Sequence, residues 1–371
     1  MSEKCKVDLD PEVYEFYRAA LEGPGFDVPF SVDDVEWLRE DEVRRHAAHT
    51  EPYEVYEKFD KFIQRKGRGG GSGDDNDADP LMVRVYIPEC VHKARSAVKP
   101  QKADAAGQCA AVGQAAARIK GKRSEDAEGG APVLLYFHGG GYIMGCVDDH
   151  DPLCGKLADA CGAVVISVEY RLAPEFPFPA CIDDAVLAAE WAKENARKFG
   201  GDPDKLMAGG DSSGANISAV LALLGKAGKA PKLSYLILFY GVYGCVDLAE
   251  TESAKKFGQG GFVLPVNAMN EMMKIYVPDG ADPDDIRLCP GKAKDLSDMP
   301  PSIIVSAEFD PLRDDSEEFA RRLEEAGNDV EYIRMDGMMH GFILYYQRFH
   351  RAEELIDTIG SKIQCRYGNK L

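Results

Sequence analysis

Gly210-Asp211-Ser212-Ser213-Gly214 carries the sharpest chemical content in this sequence. It fits G-x-S-x-G and lies between a strand-like run, Lys205 to Ala208, and a helical run, Ser213 to Leu224. A strand–turn–helix of this kind exposes a serine Oγ on a strained backbone and aims helix N–H groups at it. The glycine spacing selects Ser212 over Ser213 as the nucleophile. Near neutral pH a serine hydroxyl needs a histidine base and an orienting carboxylate.

Candidates for both follow later strands. Asp310, with Asp314 and Asp315 as rivals, follows Ser302 to Ser306, and His340 follows Val330 to Met335. The chain order serine, aspartate, histidine is the one used where the nucleophile sits on such a strand–turn–helix. Asp314 and Asp315 are read as acids that cap or start the next helix. The run His138-Gly139-Gly140-Gly141-Tyr142 ends another strand, Val133 to Phe137. Its glycines leave backbone N–H groups free to meet a developing oxyanion. A dinucleotide fingerprint fails there, because Met144 occupies the last glycine position of G-x-G-x-x-G. Of the other histidines, His138 is read as shaping the glycine loop, His46 and His49 as surface residues rather than metal ligands, and His92, His150 and His350 as bystanders.

The elements that must position these groups alternate regularly. Short apolar runs at Val133 to Phe137, Val164 to Val168, Lys205 to Ala208, Leu233 to Tyr240, Ser302 to Ser306 and Val330 to Met335 read as strands. Helical patterns follow at Asp151 to Ala160, Ala180 to Lys198, Ser213 to Leu224, Asp315 to Ala326 and Ile343 to Lys362. That alternation predicts a parallel sheet covered on both faces. Residues 1–52 read as helical, with Ser31 an N-cap before Asp33 and Asp34. A strand pair, Tyr53 to Gln64 and Leu81 to Ile87, comes next.

The chain has 371 residues, 45% hydrophobic and 29% charged, with 44 Lys and Arg against 63 Asp and Glu. The net charge of −19 excludes nucleic acid as a partner. The ten cysteines form no C-x-x-C pair, and no apolar run would span a bilayer. With no secretory leader at the N-terminus, a cytoplasmic protein with reduced cysteines is expected. Residues 66–80 are rich in Gly and Asp and read as flexible. Residues 89–124 hold ten Ala, eight Lys or Arg and no aromatic residue. They read as a mobile surface insertion, with a short helix near Ala110 to Lys120 and a basic docking arm as the alternative. That stretch nets +6, so the remaining chain carries −25.

With these motifs in view, the sequence resembles the hormone-sensitive-lipase-like esterases, the bacterial family IV group of the α/β-hydrolase fold. The resemblance rests on five motifs in order between about 131 and 345: His138-Gly139-Gly140-Gly141, Tyr170-Arg171-Leu172-Ala173-Pro174-Glu175, Gly210-Asp211-Ser212-Ser213-Gly214, Asp310-Pro311-Leu312-Arg313-Asp314 and His340-Gly341-Phe342. It implies an eight-stranded, mostly parallel sheet with a helical cap over residues 1–52 and an α/β-hydrolase domain over 53–371, with flexible segments at 66–80 and 89–130. It implies Ser212 as nucleophile, Asp310 as orienting acid and His340 as base. The implied oxyanion donors are the N–H of Ser213 and two among Gly139, Gly140 and Gly141, with Gly140 and Gly141 favoured. The implied reaction is hydrolysis of short- to medium-chain acyl esters through an acyl-enzyme, with no metal and no organic cofactor. The expected partner is a small-molecule ester, and a homodimer through Val330 to Lys362 follows from the same likeness. The triad would also attack amides, thioesters or lactones. A non-catalytic small-molecule binder is the other alternative, against which His340 stands in its motif. The family usually has Ala at 213 and Gly at 215, where this chain has Ser213 and Ala215.

Overall fold

The structure, a computed structural model, describes residues 9–20, 30–65, 79–97, 129–260 and 262–368. The chain runs α1 (Pro11–Ala20), α2 (Val35–His49), β1 (Glu57–Ile63), β2 (Leu81–Ile87), α3 (Glu89–Ala97), β3 (Ala131–Phe137), α4 (Asp151–Cys161) and β4 (Val164–Val168). It continues through α5 (Ala180–Asn195), β5 (Gly201–Asp211), α6 (Ser213–Lys226), β6 (Tyr235–Phe239), α7 (Glu252–Phe257) and α8 (Val266–Tyr276). The last elements are β7 (Ser302–Phe309), α9 (Arg313–Glu325), β8 (Val330–Met339) and α10 (His350–Tyr367).

One eight-stranded sheet has the order β1-β2-β4-β3-β5-β6-β7-β8. β2 runs antiparallel to β1 and β4, and every other pairing is parallel. The central strands are apolar on both sides, as a doubly covered sheet requires, and β3, β4 and β6 are buried almost throughout. Side chains alternate between two cores. Val133, Leu135, Ile166, Leu238 and Ile304 face one core with α5, α6 and α9, whereas Leu134, Val165, Ile237 and Val305 face the other with α4 and α10. β5 sits between β3 and β6 and extends well beyond Lys205 to Ala208 at both ends. Its glycines, Gly209 and Gly210, let the strand run on against β3 and β6, whose backbones would meet any side chain there.

Two sequence expectations are corrected. The helix expected from Ile343 breaks: Phe342–Tyr345 form a 3₁₀ turn and α10 starts only at His350. Gly341, at φ +81°, starts the turn, and extended Phe349 (φ −113°, ψ 100°) separates it from α10. Residues 89–97 are not a surface insertion but helix α3. Val91 is buried, and Cys90 and Val91 lie against the turns at Gly162 and Gly200. The expected helix near Ala110 to Lys120, and residues 66–78 and 98–128 of the flexible segments, lie outside the described residues. Among the described residues no helix is long and apolar enough to cross a membrane, and the described cysteines are unpaired.

Ser31 caps the chain's entry into α2 through a reciprocal capping box with Asp34. Arg39 of α2 fastens that helix to the body. Its guanidinium pairs bidentately with Glu175 at 2.8 Å and donates to the carbonyls of Ile143 (2.8 Å) and Ala173 (2.9 Å). α1 docks beside β8: Tyr17 Oη donates to the His340 carbonyl at 3.2 Å, and Phe16 packs edge-on against Phe349.

Candidate active site

Four strands end at one place. Ser212 follows β5, the glycine run follows β3, Asp310 follows β7 and His340 follows β8, all at carboxyl ends, where open α/β sheets leave a crevice. Ser212 has φ +53° and ψ −119°, a conformation costly for any residue with a Cβ. Its N–H donates to the Phe239 carbonyl (2.9 Å), which holds the turn from the β6 side. On the other side Gly214 lies so close to the carbonyls of Phe137 and His138 that no Cβ fits. Helix α6 starts at Ser213, so its first N–H groups face the turn.

Ser212 Oγ lies 3.0 Å from His340 Nε2, and His340 Nδ1 lies 2.8 Å from Asp310 Oδ2. A carboxylate only accepts, so Nδ1 carries the proton and Nε2 is left to accept from the serine. The other oxygen of fully buried Asp310 accepts the Leu312 N–H at 2.8 Å. Its rivals are engaged elsewhere. Asp314 accepts from Ser253 N–H and pairs with Arg313. Asp315 does not cap α9. It is buried and accepts the N–H groups of Tyr243, Gly244, Cys245 and Val246, which anchors the loop after β6. Burial nevertheless raises its carboxyl from the usual aspartate range.

The three glycines divide by geometry. Gly139 N–H donates to Asp211 Oδ1 at 3.1 Å and is thereby occupied. Gly140 takes φ +112° with its Cα tight against the Met144 carbonyl, which only glycine permits, and Gly141 takes φ +61°. That leaves the N–H groups of Gly140 and Gly141 for a ligand beside Ser212.

Asp211 is a second centre that motif reading left without a role. Its Oδ1 accepts from Tyr136 Oη (2.9 Å) as well as from Gly139, and His150 Nε2 stands 3.1 Å away. His150 Nδ1 faces the Cys146 carbonyl at 3.2 Å. Burial would lower the His150 pKa, but Asp211, with Asp149 and Glu42, outweighs it and raises that pKa above the usual histidine value. His138, 5.5 Å away, behaves oppositely. Burial and the charge of His150 push it down to about 4, and its Nδ1–H donates to the Gly139 carbonyl at 2.7 Å while the ring stacks on Tyr170 at 4.1 Å. Its sequence reading as a loop-shaping residue agrees with this placement.

Two histidine readings are corrected. His150 has the partners that no sequence motif announced, and His46 is no surface residue, being only 4% exposed and 3.7 Å from Asp149. His46 and His49 do point toward one cavity. No cluster of His, Cys, Asp and Glu among the described residues has metal-binding geometry.

A cavity of about 200 Å³ opens at Ser212. One wall comes from residues 242–273, including Leu264, Met269, Met272 and Met273, and the other from α1 and α2. Ser213 is buried beside the elbow, and Ala215 packs against Gly241.

The chain matches the model of a family described as alpha/beta hydrolase fold over residues 134–344. It is 42% identical over 220 residues to the carboxylesterase NlhH of Mycobacterium tuberculosis, covering 57% of this chain and 66% of that protein, just under two thirds of its length. It is 37% identical over 214 residues to an arylesterase of Saccharolobus solfataricus, covering 57% of this chain and 68% of that one. Among solved structures, a hyperthermophilic esterase from the archaeon Pyrobaculum calidifontis superposes with a TM-score of 0.76 at 28% identity, covering 97% of this chain and 99% of that one.

Proposed function

The chain belongs to the alpha/beta-hydrolase fold family, and from that premise we propose that it is a serine carboxylesterase of the hormone-sensitive-lipase-like group. The observation that carries the proposal is the unbroken chain Ser212 Oγ–His340 Nε2–His340 Nδ1–Asp310, at 3.0 and 2.8 Å, in a cavity that Gly140 and Gly141 also line. Ser212 attacks the acyl carbon while His340 takes its proton, and Asp310 stabilises the resulting imidazolium. The oxyanion forms against the N–H groups of Gly140, Gly141 and Ser213. His340 then protonates the departing alcohol. Water, activated by the same histidine, releases the acid and restores Ser212.

The two walls of the cavity, α1–α2 and residues 242–273, act as the cap and set the acyl limit. A cavity of about 200 Å³ suits short to medium acyl chains. A fluorophosphonate should label Ser212, and a 4-nitrophenyl ester series should show turnover falling beyond medium acyl lengths. Ser212→Ala should lose about three or more orders of magnitude in kcat, leaving the residual catalysis of the oxyanion site. Parent-like turnover by Ser212→Ala, or no labelling of the parent, would refute the proposal.

A further inference from the structure

Helix α2 turns the wrong face inward for a purely apolar pocket. Its inward stripe begins with Val35 and Leu38, both buried, and continues at helical spacing through Glu42, Arg45, His46 and His49. All four of these line the cavity at Ser212, whereas Val43 on the same helix is 47% exposed to solvent. A helix that merely roofed an acyl chain would place the valine inside and the acid outside. Glu42 Oε2 is buried without a hydrogen-bond partner, and buried His46 Nδ1, also without one, has only the Asp149 carboxylate at 3.7 Å, an arrangement that costs stability unless something uses it.

The stripe also lies on a definite side of the reaction. His46 packs against Tyr345 at 5.5 Å, and Tyr345 belongs to the turn that follows His340. The Met-rich wall instead comes up to Gly141, where Met272 Sδ fills the space a Cβ would need. Because His340 Nε2 must reach the leaving oxygen, the histidine side takes the alcohol and the Met-rich side takes the acyl chain.

Building on the esterase reading, we propose that Glu42, His46 and His49 form a subsite for a hydroxylated leaving alcohol, so that the preferred substrates are short-chain acyl esters of uncharged polyols. The groups present suit hydroxyls better than an ion. Arg45 is paired with Asp41 at 3.0 Å, so the stripe adds no strong net charge. Burial, with Arg348 and His46 close by, lowers the His49 pKa, so its ring is neutral and offers one donor and one acceptor. Burial raises the Glu42 carboxyl against the pull of His46. Hydroxyls donate and accept and would satisfy both.

The test compares propyl acetate, glycerol 1-acetate and 6-O-acetylglucose with the full chain, following acid release by pH-stat. The polyol acetates should exceed propyl acetate in kcat/KM by about tenfold, the worth of one well-made buried hydrogen bond. His46→Leu and Glu42→Leu should each cut that ratio about tenfold, and Glu42→Gln should keep most of it. Preference for only one of the polyols assigns the alcohol as glycerol or sugar and supports the proposal. Equal kcat/KM for propyl and polyol acetates in the parent, or a ratio untouched by the leucine variants, overturns it. If either leucine variant does not fold, the parent's ratio and the other variant decide. Turnover of 4-nitrophenyl acetate separates the failures: absent turnover sinks the esterase reading, whereas good turnover with a flat ratio sinks the subsite alone.

Discussion

Asp211→Asn probes how the glycine loop after β3, the proposed oxyanion site, is held. In the parent, two donors reach one carboxylate oxygen, Tyr136 Oη at 2.9 Å and Gly139 N–H at 3.1 Å, and His150 Nε2 stands 3.1 Å from it. Burial alone would raise this carboxyl, yet the charge of His150 and the bonds from His150 and Tyr136 hold it below the usual range. An amide oxygen keeps the shape but loses the charge. Two charge-assisted bonds then weaken by about half, roughly 1 kcal/mol each. His150 loses the carboxylate that does most to raise its pKa, so it gives up a proton more readily. The expected destabilisation is about 2–4 kcal/mol. With about 2.1 cal/mol/K of unfolding entropy per residue over 371 residues, Tm should fall by roughly 3–5 °C. Gly139 is the first residue of the loop that presents Gly140 and Gly141, so slackening it should cost about 10–100-fold in kcat, less than removing a donor outright. KM for 4-nitrophenyl acetate should move by less than about threefold, since the cavity walls remain. Calorimetry and steady-state kinetics on the same preparation would decide. A variant with both parent-like Tm and parent-like kcat would refute the view that Asp211 holds this loop.

Arg39→Ala should detach α2 from the Glu175 loop, lowering kcat/KM about tenfold while Tm falls by less than about 2 °C, because the pair is partly solvent-exposed. Hydrogen exchange should rise in α2, and Arg39→Lys should not restore protection, since lysine cannot make the fork. His138 carries a pH signature. Its folded pKa of about 4 lies below the unfolded value near 6.5, so the unfolded chain binds the extra proton between those values and stability falls as pH falls. The loss should reach roughly 3 kcal/mol by pH 4, and His138→Gln should flatten that part of a urea-midpoint profile. His150 has the opposite sign: its raised pKa gives stability that is complete below about 6.5 and is lost as pH rises through the folded value, so His150→Gln should flatten the alkaline side of the same profile. Asp315→Asn should destabilise by about 1–3 kcal/mol and loosen residues 243–246, seen as lowered Tm and faster proteolysis of that loop.

Much of this molecule was legible because its chemistry sits in short motifs. The turn at Ser212 needs glycine at 210 and 214 because the carbonyl of Phe137 at the end of β3 comes up against both, yet those glycines stand next to Ser212 in the sequence and so mark it. Strands β2 and β4 were legible to the residue because turn residues bound dense β-branched runs. The break before α10 was not, because the helical periodicity carries on across it. α3 is hidden in the composition because the Ala- and Lys-rich residues around it outweigh its anchors, Cys90 and Val91. The inward stripe of α2 was readable at positions 42, 45, 46 and 49, but polarity alone marked those residues as surface.

The sequence by itself determined the alternation of strands and helices, the chain order of Ser212, Asp310 and His340 and the position of the turn at Ser212. Each depends on local backbone sterics or on periodicity along the chain. Only the tertiary structure decided that Asp310 rather than Asp315 faces His340, that Gly139 is occupied by Asp211, and that the pKa of His150 is raised while that of His138 is lowered. It also decided that α2 turns Glu42 and His46 toward the cavity. These are contacts between residues far apart in the chain, and a side chain's charge and hydrogen-bond partner depend on what folding brings beside it and on how much water it removes.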